Sequence, residues 1–453
     1  MKKVIFTLIF ALIFTGLFQA PSFAVTSPPD IIAGSAVLID AATGAILYEK
    51  DKDALKEPAS VTKMMTCLLA LENIPLHEVL TIDKESPFTG GSRIFIIEGE
   101  ELTLEDLLYA LMLESANDAA AALAIAVSGS IDDFAALMNE RARELGAKNP
   151  SYKNPHGLHQ EGHLTSAYDL AMVALEGMKN PEFRKIVSTY KYTIDPTNKQ
   201  AEPRYMYNRN RLIYDELTKV PVRGVMTPAK YEGATGIKTG STPQAGGTLV
   251  ASAKRDGTEL IAVVLASTDG GRFGDCIALL DYGFENYYTY KAVGSDLQIG
   301  DVKVKMGSFN HVGAKVPEDL YITLPKEASP SLITTKIVID QGITAPVSEG
   351  QKLGRVEVYM GGDVISEAPV VAAADLPEGM FLSRFGIEDR VSVAIAKILK
   401  GILAVIILLF IAYAALLIRS KIKRRAKRRQ KALEVAMERQ RLQKETEQRK
   451  WPY

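Results

Sequence analysis

Residues 401–418 run for eighteen positions without a charged side chain, and nine of the next thirteen residues, 419–431, are Lys or Arg. Such a run is just long enough to cross a hydrocarbon core if Ile398 and Leu399 join it and Lys400 reaches back to the interface. It is apolar on every side, so a transmembrane helix over 397–418 is expected rather than a helix lying on the surface. This divides the chain. Whatever folds in water precedes the span, and residues 419–453 are left as a basic cytoplasmic tail by the bias of positive charge toward the inside. Residues 432–450, charged and Gln-rich, read as a solvated helix, with anionic lipid in contact with its start.

The N-terminus carries a second address. Lys2 and Lys3 precede an apolar run over 4–18, and Ser22-Phe23-Ala24 is a small-x-small cleavage site, so residues 1–24 are expected to be a signal peptide. The remaining length is too great for one core and suffices for two domains. Net charge is −1 over 453 residues. With the basic tail set aside, the folded part is acidic, which argues against nucleic acid as a partner. Export would permit a disulfide between Cys67 and Cys276. Both lie in apolar helical patterns, however, and two buried free thiols are the expectation.

Three short motifs carry the chemistry. Ser60-Val61-Thr62-Lys63 opens a helix whose apolar face is Val61, Met64, Met65, Leu68 and Leu69. A serine in the first helical turn meets unpaired N–H groups and the positive helix end. Lys63 projects from the same face one turn on. To act as a base it must be buried beside another positive group, a differential cost of roughly 4 kcal/mol. Lys238 could supply that charge. Ser115-Ala116-Asn117 falls between two helical stretches, 104–113 and 118–127, the first opened by a Thr103/Asp106 capping pair. There Ser115 could relay a proton, and Asn117 could hold a peptide carbonyl or position Lys63. Lys238-Thr239-Gly240, followed by Ser241, lies on a strand that precedes two more, joined by a turn at Arg255-Asp256-Gly257. Gly240 would let a substrate backbone approach the strand edge and add to it, with Lys238, Thr239 and Ser241 on its carboxylate.

Similar spacings elsewhere lack this context. Ser188-Thr189-Tyr190-Lys191 enters a strand alternation, Ser420-Lys421-Ile422-Lys423 lies in the basic tail, and Ser308-Phe309-Asn310 lies in a Gly-rich turn. His156, His159 and His163 could suggest a metal, but the segment holds two glycines and no H-E-x-x-H helix. No metal or cofactor is expected.

With these residues in hand, the chain resembles the low-molecular-mass penicillin-binding proteins, the serine-type D-alanyl-D-alanine carboxypeptidases. The likeness runs from about Val37 to Tyr287. It includes Asn154-Pro155-His156-Gly157-Leu158 as a connecting segment. It also includes Asn208-Arg209-Asn210, whose Arg209 helps to bind the substrate carboxylate, although residues 218–230 are extra here. The resemblance implies an α/β (α+β) fold of the serine β-lactamase/penicillin-binding-protein type, an antiparallel sheet flanked by helices over 25–287. A small all-β domain over 288–388 would follow, then the one C-terminal transmembrane helix. It implies Ser60 as nucleophile, Lys63 as base, peptidoglycan stem peptides as substrate and β-lactam antibiotics as inhibitors. The setting is then the bacterial cell membrane, with the catalytic domain outside.

Residues 302–306, 321–324, 336–339, 353–359 and 364–371 read as strands of the second domain, a spacer without a cluster of chemistry of its own. Other readings are a D,D-endopeptidase, a β-lactamase and a membrane-anchored wall-binding protein with a degenerate site. One class of β-lactamase deacylates with an added glutamate, and this chain has no Glu-x-x-Leu-Asn segment after Asn117; intact motifs speak against the degenerate site.

Overall fold

The computed structural model describes residues 27–449. The expected signal peptide and residues 450–453 lie outside the described residues.

The first architectural element is a five-stranded antiparallel sheet. Its strands are β1 (Ser35–Asp40), β2 (Ile46–Lys50), β3 (Ala234–Thr242), β4 (Gly246–Arg255) and β5 (Thr258–Ser267), in spatial order β2-β1-β5-β4-β3. β4 and β5 are joined at Asp256 and Gly257, both at positive φ (47° and 82°), the pairing that a tight hairpin turn requires. The central strands are apolar on both faces because both are covered. Val37, Ile39, Val263 and Leu265 face a large helical cluster. Ala36, Leu38, Ala262 and Val264 face a single helix.

The helical cluster comprises α1 (Lys63–Asn73), α2 (Leu104–Leu113), α3 (Asn117–Ser128), α4 (Ile131–Glu144), α5 (Ala167–Lys179) and α6 (Pro181–Ser188); α7 (Gly271–Asn286) covers the other face. Side-chain caps fix where several of them begin. Thr103 and Asp106 form the expected reciprocal capping box, and Ser130, Ser166 and Asn180 each accept from the N–H two or three residues on. Capped at one end and closed by α3 at the other, α2 leaves three residues, 114–116, as its link to α3.

Ser188 departs from the strand expected of it. It closes α6, with its hydroxyl donating to Arg184 O at 2.8 Å, and the strand starts only at Lys191. The Asn180 cap and Pro181 at the first helical position impose a helix there. The extra residues 218–230 form a hairpin, Lys219–Val222 with Val225–Pro228. Val220 and Val222 join the core on the α7 face, not the helical one.

Contacts divide the chain into two compact units. One runs to Gly294 and includes Asp319–Thr335 and Val358–Ser366; the other holds Ser295–Glu318, Lys336–Glu357 and residues from Glu367 on. A second five-stranded sheet has the order Gln298–Lys303, His311–Lys315, Asp363–Ala372, Lys352–Met360, Ile333–Ile339. Its first strand lies N-terminal to the expected 302–306, and His311–Lys315 was not expected. Polar Gln298 and Asp301 mask the former, and Gly313 interrupts the apolar alternation of the latter.

The last element is α8 (Asp389–Gln448), sixty residues in one helix, about 90 Å long at ~1.5 Å per residue. A span and a separate tail helix were expected. The two are continuous because no Gly or Pro occurs between 402 and 448 and the tail is built from good helix formers. Among the described residues it is the one single helix long and apolar enough to cross a membrane. Cys67 and Cys276 are both buried free thiols, as expected.

Candidate active site

Residues 59–62 form a single 3₁₀ turn that runs straight into α1. This carries Ser60 and Lys63 on one face. Lys63 Nζ lies 3.2 Å from Ser60 Oγ. It is fully buried and donates to Asn117 Oδ1 and to the carbonyl of His156, both at 2.6 Å. Burial, together with the positive charges of Lys238 and Arg209, holds it well below the usual lysine range. A neutral amine has two N–H bonds and one lone pair. With both N–H bonds taken by carbonyl oxygens, the lone pair is left for the Ser60 hydroxyl.

Asn117 is itself fixed. It opens α3, its N–H donates to Ser92 O at 2.7 Å and its Nδ2 to Gly90 O at 2.7 Å, which turns Oδ1 toward Lys63. Next to it the buried Asp118 carboxylate accepts from the N–H groups of Ile94, Phe95 and Ile96 at 2.8–3.3 Å. Burial raises its pKa. Ser115 sits at φ +60°, and its buried hydroxyl has no hydrogen-bond partner. A strained residue holding a buried, orphaned hydroxyl two positions before Asn117 is an arrangement that a bound molecule would complete.

The connecting segment closes over α1. Thr66 Oγ1 donates to Pro155 O at 2.6 Å. A Cβ at Gly157, whose φ is +80°, would fall 1.9 Å from Ala59 O, so only glycine allows this approach. The three histidines part company here. His163 Nδ1 accepts from Lys153 N–H at 3.1 Å, which leaves Nε2–H for Thr62 Oγ1 at 3.0 Å. Burial pushes His163 down to about 4 and His156 down to about 3, so both are neutral. His159 instead pairs with Glu57 at 2.8 Å on the surface.

β3 is the edge strand on which the third motif lies. Lys238 is buried and pushed down to about 7 by burial and by Arg209 and Arg272. Gly240 faces the nucleophile turn: a Cβ there would lie 2.8 Å from Ser60 N and 3.1 Å from Val61 N. Thr239 is buried and Ser241 is exposed on the same strand. Buried Arg272, at the start of α7, donates to Gly240 O at 2.6 Å and so fixes the Gly240–Ser241 peptide. Arg209 is half exposed at the rim, bonded to Ser92 Oγ at 3.0 Å and to Glu114 Oε2 at 3.2 Å.

Lys63 thus touches both Ser60 and Asn117 directly. Ser115 stands between Glu114 and Asn117, the Lys238 strand lies against Ser60, and Arg209 borders both. Sequence reasoning did not single out the His156 carbonyl, Glu114, Asp118 or Arg272. The first is a backbone atom with no side-chain signature, and Arg272 lies far along the chain in an unremarked helix start.

A D-alanyl-D-alanine carboxypeptidase family model matches residues 22–269, and one for the C-terminal domain of penicillin-binding protein 5 matches residues 287–378. The D-alanyl-D-alanine carboxypeptidase DacF of Bacillus subtilis is 36% identical over 358 residues, covering 78% of this chain and 87% of its own length. The structure of penicillin-binding protein 5 from Haemophilus influenzae superposes with a TM-score of 0.63 at 31% identity, over 78% of this chain and 100% of that one. The DD-transpeptidase of Streptomyces K15 superposes at 0.52 with 32% identity, over 57% of this chain and 99% of its own.

Proposed function

The chain belongs to the D-alanyl-D-alanine carboxypeptidase family of serine peptidases, and from that premise we propose how its own residues carry the reaction. Ser60 Oγ attacks the carbonyl carbon of the penultimate D-alanine as Lys63 Nζ takes the hydroxyl proton. Backbone N–H groups at Ser60 and on β3 hold the oxyanion. Lys238, Thr239, Ser241 and Arg209 read the free carboxylate of the terminal D-alanine, whose backbone adds along Gly240 at the sheet edge. When the tetrahedral adduct collapses, the C–N bond breaks. The amine leaves with the proton held by Lys63, passed through Ser115, and an ester to Ser60 remains. Lys63 then takes a proton from a water as the water attacks the ester carbonyl, and returns it to Ser60 Oγ as the ester C–O bond breaks, releasing the shortened peptide as its free acid. β-Lactams enter by the same attack and stop at the ester.

The observation that carries this reading is the triangle around Lys63 Nζ: Ser60 Oγ at 3.2 Å, and two carbonyl-type acceptors at 2.6 Å. The two matched family segments support a catalytic domain over 25–287 and a β-rich one over 288–388. We place the span at 397–418, with the catalytic domain outside the bacterial cell membrane and residues 419–453 in the cytoplasm. The charge pattern supports that orientation.

The test is release of D-alanine from a stem pentapeptide, with intact-mass detection of a penicillin adduct. Ser60→Ala should stay folded and lose both. A stoichiometric adduct on the Ser60→Ala protein would overturn the assignment.

A further inference from the structure

One surface beside the site takes part in no step above. The hairpin Lys191–Ile194/Arg204–Tyr207 pairs Lys191 with Tyr207 and Thr193 with Tyr205. Its inward positions are ordinary core. Ile194 and Met206 are buried, and Tyr192 stacks on Tyr109 at 3.8 Å with its hydroxyl on Asp106 at 2.9 Å. The outward positions of a half-buried hairpin are normally polar. Here Tyr205 and Tyr207 stand outward, 54% and 42% exposed, next to Tyr190 at 46%. The Tyr190 ring lies 6.0 Å from that of Tyr207. Lys191 Nζ sits 5.1 Å and 5.5 Å from the ring centres of Tyr205 and Tyr207.

This aromatic surface is continuous with the cleft. Tyr207 N–H donates to Glu114 Oε1 at 2.9 Å, the carboxylate that also holds Arg209, and Glu114 directly precedes Ser115. On its other flank Arg204 Nη2 donates to Phe95 O at 3.4 Å, and Phe95 N–H is bonded to Asp118 beside Asn117. The hairpin therefore adjoins the second motif through the Tyr207 backbone and the Arg204 side chain, which leaves the tyrosine rings free of that support.

Exposed aromatic rings grouped at the mouth of a catalytic cleft mark a recognition surface. The occupant must offer flat C–H faces to the rings and oxygen atoms to the phenols and to Lys191. Pyranose rings do both, and a stem peptide in the wall hangs from a strand of N-acetylated amino sugars. We propose that Tyr190, Tyr205, Tyr207 and Lys191 dock the amino-sugar rings of the glycan strand that carries the stem peptide being cut. This inference rests on, and deepens, the stem-peptide reading of the site. The Lys191 ammonium donates to hydroxyl or acetamido oxygens, and the tyrosine rings stack on the sugar faces. The enzyme then acts faster on peptides attached to glycan than on free ones.

The test compares kcat/KM for a free stem pentapeptide and for the same peptide on its disaccharide, using the full chain. Wild type should favour the disaccharide-linked substrate. The double variant Tyr205→Ala/Tyr207→Ala should lose that preference, falling about tenfold on the linked substrate. Its rates on free peptide and with penicillin should be unchanged, and the Tyr205→Phe/Tyr207→Phe variant should recover most of the loss. An unchanged ratio overturns the proposal. Equal loss on both substrates overturns it too and assigns the tyrosines to the peptide subsite. A dimer seen in sedimentation that dissociates in the double variant, with the ratio intact, makes the surface a contact with a second copy instead. If wild type releases D-alanine from neither substrate, the carboxypeptidase reading fails along with this one, and the penicillin adduct tells the two failures apart.

Discussion

Two buried lysines set the electrostatics of the site, and each is placed where a positive charge is costly. Burial and the positive charges of Lys238 and Arg209 hold Lys63 well below the usual lysine range, so acylation by penicillin should rise with pH through its depressed pKa. Lys63→Arg should be inactive, because a guanidinium keeps its proton in proteins. Stopped-flow acylation checks both, and a Lys63→Arg protein reacting within tenfold of wild type would place the base elsewhere. Lys238 gives a stability prediction. Its folded pKa, about 7, lies below the unfolded value, so the unfolded chain binds more protons between about pH 7 and pH 10.4, and stability rises with pH across that window. The Lys238→Met substitution removes the cost of burying the amine. At pH 6 the variant should melt about 5 °C or more above wild type, the gap should narrow toward pH 10, and acylation should be slower. Calorimetry at the two pH values decides it; a lower Tm at pH 6 would show that Lys238 is stabilising. The Ser60–Lys63 pair was legible because helical spacing alone fixes a shared face. The two acceptors that tune Lys63 were less so: Asn117 had its motif, whereas the His156 carbonyl is set by a backbone path that no residue type announces.

The nucleophile turn and the edge strand work as one element pair, with glycines setting their separation. Gly240→Ala would put a methyl 2.4 Å from Thr248 Oγ1 and 2.8 Å from Ser60 N. Backbone cannot yield that much, so β3 must move off the turn. The expected result is a folded protein whose acylation by penicillin falls at least about a hundredfold, the scale of losing one oxyanion donor. Acylation within a few-fold of wild type would mean that β3 and Ser60 need not touch. At this scale the sequence showed most of the layout. Apolar periodicity marked α1, the Thr103 capping box marked α2, and the turn at Asp256-Gly257 marked β4 and β5. It failed at Ser188, where an apolar and polar alternation in Tyr190, Tyr192 and Ile194 was extended three residues too far, into a helix that its own cap had already fixed. It failed again at His311–Lys315, because a glycine in mid-strand leaves too few apolar positions to count. Arg209 remained at the site despite the extra residues 218–230, since that hairpin buries Val220 and Val222 on the α7 face of the sheet.

At the scale of the whole chain, the apolar run that first divides the sequence also predicts how the protein is held. α8 continues from Asp389 through the uncharged stretch into the basic tail with no helix breaker after Gly401. Eighteen residues at ~1.5 Å each give about 27 Å, close to the ~30 Å hydrocarbon thickness. A helix lying in the interface would instead need a polar face along this stretch, and 401–418 has none. Full-length protein should therefore resist extraction by alkaline carbonate, and a chain ending at Arg390 should be soluble. Every motif residue precedes Ser252, so the shortened chain should cut a short stem peptide at the wild-type rate. It should act more slowly on lipid-linked precursors, which diffuse in the plane that the missing helix would share. Protease added outside intact cells should leave the 419–453 tail whole, because returning nine lysines and arginines across the bilayer is prohibitively costly. Digestion of the tail from outside, or release of the full chain by carbonate, would turn the span into a surface helix and leave the chemistry at Ser60 untouched.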